Sequence, residues 1–79
     1  MRFSDKTEVT EYRNTYIRTT WRESKGSLVG TIMSVAFSDQ DCHVPVTDAK
    51  DRIISNFGIS KERTISEVQK KLDKKFLST

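Results

Sequence analysis

Residues 15–37, TYIRTTWRESKGSLVGTIMSVAF, hold two alternating runs joined by ESKGS, and that joint constrains the chain more than any other stretch. Gly26 can take the left-handed backbone that closes a three-residue hairpin loop with a bulge. Pairing then begins at Glu23 with Ser27. Counting back sets Trp21 against Val29, Thr19 against Thr31, Ile17 against Met33 and Thr15 against Val35, with Phe37 continuing that side. Side chains of a strand alternate between its faces, so these residues form one coherent apolar surface. The opposite face receives Arg22 with Leu28, Thr20 with Gly30, Arg18 with Ile32, and Tyr16 with Ser34.

Residues 7–22 are dense in Thr, Tyr, Val, Ile and Trp, side chains that suit a pleated surface and resist a helix. A first strand over about 6–12 pairs with the second through a turn at Arg13-Asn14; two registers remain open, and with them the side that Tyr12 takes. SDQDCHVPVTD reads as a loop, with Pro45 holding Val44 extended. A helix is expected over about 48–57, capped by Thr47, with Ala49, Ile53 and Phe57 on one face and Gly58 as its C-terminal cap. TISE, residues 64–67, has the form of a capping box, and opens a last helix running to about Phe76. Its stripe is Ile65, Val68, Leu72 and Phe76. The expected architecture is an α+β domain over residues 1–79: a three-stranded antiparallel sheet (β-β-β) with two C-terminal helices packed on one face.

Length and charge limit the functions such a chain can have. At 79 residues it forms one small domain with no room for a large buried active-site cavity. The formal charge of +3 permits an anionic partner and argues against an acidic imitation of DNA. One cysteine, Cys42, excludes an internal disulfide framework and points to a reducing, cytoplasmic setting. The N-terminal stretch has no apolar core of a signal peptide, and no run approaches a membrane span.

Catalytic signals are weak. Cys42 and His43 are neighbours on an extended chain and point to opposite sides, so they cannot readily share a substrate or a metal. The acidic residues around them match no calcium loop, and the three glycines form no phosphate-cradling motif. The reading is therefore a non-enzymatic protein that needs no cofactor. FGISKERTISEVQKKL has the outline of a helix-turn-helix, but Ile54 stands where a small residue is usual and Ile65 comes one position late.

The surface left over from the core carries the functional expectation. Tyr16, Arg18, Arg22, Leu28 and Ile32 share the uncovered sheet face, and Lys70 and Lys74 project away from the last helix's stripe. Arginine and tyrosine are enriched at interface hot spots; the same types meet phosphates and stack on bases. Nucleic-acid binding, to DNA through this face with the lysines adding phosphate contacts, is the first expectation. The alternative is a small regulator or inhibitor, of the phage or mobile-element type, that masks a larger protein partner. Homodimerisation through the first strand, an expected sheet edge, is a third possibility.

Overall fold

The computed structural model describes residues 3–77. Four strands, β1 (Ser4–Tyr12), β2 (Thr15–Ser24), β3 (Ser27–Phe37) and β4 (Ser55–Gly58), precede one helix, α1 (Lys61–Leu77). The strands form one antiparallel sheet in chain order, and α1 covers one face. The expected three strands and two helices are thus corrected to four strands and one helix, within the same α+β class. No described helix is long and apolar enough to cross a membrane.

Two short turns set the sheet. Arg13 and Asn14 both have positive φ, 49° and 61°, and close β1 onto β2 with Tyr12 opposite Thr15. Lys25 and Gly26 do the same for β2 and β3, at 54° and 77°, with Ser24 opposite Ser27. Two consecutive left-handed residues make the turn whose twist matches a β-hairpin. The second loop therefore has two residues, not the expected three. That single residue turns over every side chain of β3, because strand side chains alternate.

β2 keeps its expected sides. Thr15, Ile17 and Thr19 are buried toward α1, and Trp21 is half-buried on the same side. From β3, however, Ile32, Ser34 and Ala36 face the helix, whereas Met33 pairs with Thr20 and Val35 with Arg18 on the other face. A bulge adds a second shift. Between the pairs Arg22–Val29 and Thr20–Met33, Trp21 alone spans Gly30, Thr31 and Ile32, and Gly30 has a φ of 79°. Two extra residues preserve the sides of β3 while shifting its pairing with β2 by two positions.

The helix expected over 48–57 does not form. The Asp48 carboxylate accepts N–H bonds from Lys50 (2.9 Å) and Arg52 (3.0 Å), and Asp51 reverses the chain at a φ of 62°. Aspartate closing a turn on its own downstream amides outcompetes helix initiation at this site. Thr47 bridges to Ile53 instead of capping, and Ile54 enters the core while Ala49, Ile53 and Phe57 stay exposed. Gly58 ends β4 rather than capping a helix. A Cβ there would lie 2.7 Å from Thr64 Oγ1, so a larger residue would have to displace the Thr64 side chain.

α1 starts three residues earlier than expected, after Ser60, whose Oγ accepts a long 3.4 Å bond from the Arg63 N–H. Thr64 is no cap; its hydroxyl donates back to the Ser60 carbonyl at 2.7 Å. The expected stripe holds. Val68 and Leu72 are fully buried with Ile17, Ala36, Val46 and Ile54, and Ile65 and Phe76 pack alongside. Tyr12 joins them from β1, and its hydroxyl donates to Asp73 at 2.7 Å. Arg13 reaches the same carboxylate oxygen at 2.7 Å.

Gly30→Ala forces a side chain into the left-handed backbone and is expected to destabilise the domain by about 1–2 kcal/mol, read as a lowered urea midpoint at unchanged slope. An unchanged midpoint would mean that the bulge does not need glycine.

Candidate functional site: the open face of the sheet

Pairing across the sheet assembles the face that α1 leaves open. One row runs Thr7, Thr20, Met33, Phe57, and the next runs Val9, Arg18, Val35, Ser55. Flanking rows add Asp5, Arg22 and Val29 on one side and Glu11, Tyr16 and Phe37 on the other. Apolar exposure is high here: Phe57 is 64% exposed, Val9 47% and Val29 37%. A shallow concavity of about 570 Å³ lies over Phe3, Thr20, Arg22, Val29 and Met33.

Arg18 sits near the middle. Its guanidinium stacks on the buried Phe37 ring at 4.8 Å, an arrangement that suits the planar cation. Its Nε is out of reach of solvent and has no hydrogen-bond partner among the described residues. A buried donor without an acceptor is costly and uncommon. Arg22 differs: its Nε donates to Asp5 Oδ1 at 3.1 Å, and its guanidinium lies 5.7 Å from the Phe3 ring. Asp5 and Glu11 thus offset the two arginines on this face.

The expected site residues divide. Tyr16, Arg18 and Arg22 stand together on the open face. Ile32 does not; it is fully buried beneath α1. Leu28 pairs with Glu23, on the side away from Arg22, and is exposed only because it lies in the hairpin tip. Both reversals follow from the shorter loop. Lys70 and Lys74 are exposed on α1, in the opposite layer, so they cannot extend the arginine surface. Lys70 pairs with Glu67 at 3.4 Å. Val29, Met33, Val35 and Phe57 were not expected here. The one sequence signal for them is mid-strand Gly30, which can mark a bulge; glycine after Lys25 leaves the loop length open.

A second surface gathers charge. Lys50 and Arg52 from the 48–54 turn and Lys71, Lys74 and Lys75 from α1 line an open groove of about 530 Å³. Lys71 Nζ donates to the Ser55 carbonyl at 2.6 Å, and Lys75 Nζ bonds to the Thr47 carbonyl. Asp48 is the one carboxylate in its lining, and it pairs with Arg52 at 3.4 Å.

Cys42 is a free, buried thiol at a φ of 58°, and His43 is exposed. Asp39 folds their loop by accepting the N–H groups of Val44 (2.8 Å) and His43 (2.9 Å). No group of three or more His, Cys, Asp or Glu among the described residues could hold a metal ion. Comparison with known proteins found no family model, no curated protein and no solved structure that matches this chain.

Bonds from Val44 and then His43 hold the Asp39 carboxyl below its ordinary value; bonds from Arg52 and then Lys50 do so for Asp48. A lowered native pKa stabilises the fold at neutral pH, and that contribution fades as the pH falls through the lowered values, below 3.8. Asp39→Ala is expected to speed amide exchange at His43 and Val44 at pH 7 and to remove Asp39's share of this acid sensitivity. Unchanged exchange at those two amides would mean the carboxylate does not organise the loop.

Proposed function

We propose that this chain is a non-enzymatic binding module that docks on a larger protein through its open sheet face. The supporting observation is an inverted distribution of side chains. Thr15, Thr19 and Ser34 are buried on the helix side, while Val9, Val29 and Phe57 are exposed on the open side. Apolar side chains gathered on one exposed face mark a contact surface, as singly scattered ones do not. Arg18 narrows the partner's chemistry. Its planar guanidinium, stacked on Phe37 within an apolar face, suits a carboxylate or carbonyl of a partner. Balanced charge on this face favours a protein over a phosphate backbone. The free thiol at Cys42 fits the reducing cytoplasm as the setting.

A second reading, nucleic-acid binding, is favoured by the groove at Lys50, Arg52, Lys71, Lys74 and Lys75. Five cations and one carboxylate line it, so its net charge exceeds the +3 of the whole chain. Phosphates could bind there, with the groove rather than the sheet as the contact.

Co-purification from the native host, with and without nuclease, separates the two. A stoichiometric protein partner that survives nuclease supports docking, and Arg18→Ala is expected to weaken it by about 2 kcal/mol or more, roughly 30-fold. Val35→Glu should abolish capture while circular dichroism stays native. Loss of all partners on nuclease treatment, with a salt dependence that Lys71→Glu flattens, would replace this reading with the second.

A further inference from the structure

β1 is the open edge of the sheet: its one neighbour is β2. Tyr12 and Thr15 flank a two-residue turn, so they form a hydrogen-bonded pair, and bonded pairs alternate along an antiparallel ladder. Ser4, Lys6, Glu8 and Thr10 therefore spend their backbone groups on β2. Asp5, Thr7, Val9 and Glu11 direct theirs outward, along a nine-residue strand whose residues are nearly all exposed.

We infer that this edge pairs with a second copy of the chain, antiparallel, about a two-fold axis through Thr7. A two-fold edge contact is self-complementary, so each candidate register can be judged by its own charges. Centred on Thr7, Lys6 faces Glu8 of the second copy, twice, at positions where side chains approach most closely. Thr7 meets Thr7, and Asp5 meets Val9, with no like-charge pair. Centred one residue later, Glu8 meets Glu8 and Asp5 meets Glu11 twice. Centred one residue earlier, Lys6 meets Lys6. Charge complementarity selects one register and repels its neighbours. Within each copy Lys61 Nζ lies 3.6 Å from Glu8 Oε2, so in the pair two lysines share that carboxylate. The product is one continuous eight-stranded sheet with an α1 helix from each copy on the same side.

Light scattering on the full chain tests this. The expected mass is twice 9.1 kDa, and a monomeric mass at the highest soluble concentration overturns the inference. Thr7→Pro removes one outward N–H that the isolated fold does not use, and edge strands tolerate proline there. It should give a monomer with native circular dichroism; a surviving dimer would assign the contact elsewhere. Lys6→Glu should weaken the dimer roughly tenfold by turning two attractions into repulsions. Disulfide trapping reads the register: in a Cys42→Ser background Thr7→Cys should cross-link to itself and Glu8→Cys should not. The reverse pattern overturns the register. Val35→Glu should leave the mass unchanged, so failure of the edge contact and failure of the docking face are distinguishable.

Discussion

Lys25 and Gly26 both hold left-handed backbone, and the hairpin they close decides which side chains of the long strands meet the helix. A loop one residue longer would bring Met33 and Val35 under α1 and expel Ile32 and Ser34. The fold tolerates no such slip, because Ile32 and Ser34 fill space with no solvent access. Gly30 then absorbs two further residues without reversing the sides, so the hairpin's tip and its base follow one alternation.

That alternation couples core and surface. The helix-facing side is short of hydrocarbon and closes through hydroxyls: Thr19 and Ser34 bond to each other at 2.9 Å, and Thr64 bonds back along α1. Buried hydroxyls are tolerable when paired in this way. The strongest apolar packing is confined to one end, where Ile17, Ala36, Val46, Ile54, Val68 and Leu72 meet. Beyond it the β2–β3 tip projects, and the molecule is 47 Å long but only 22 and 19 Å across. Some of the apolar residues that a richer core would have used, Val9, Val29 and Phe57, lie instead on the open face.

Much of this was legible from residue types. The first three strands, the Arg13-Asn14 turn, the sides of β2 and the α1 stripe follow from alternation and helical spacing; β4 does not. The register of β3 was not legible, because glycine after Lys25 is compatible with loops of two or three residues and Lys25 itself decides between them. The absent helix was lost to Asp48. Spacing of Ala49, Ile53 and Phe57 favours a helix, but an aspartate two and four residues ahead of amides it can bond favours a turn, and Ile54 gains burial only in the turn. The site reflects both differences: Leu28 and Ile32 lie off the open face, and Phe57 stands in β4 rather than in a helix. Tyr16, Arg18 and Arg22 survived because they depend on β2 alone.

Asp73 binds Tyr12 across 61 positions of sequence, and Arg13 beside it, and α1 is the last described element of the chain. A ribosome therefore releases the whole sheet before the piece that shields it. Until the final turns of α1 emerge, Ile17, Ile32 and Ala36 lack their cover, and the nascent hairpins must wait for the helix that closes over them.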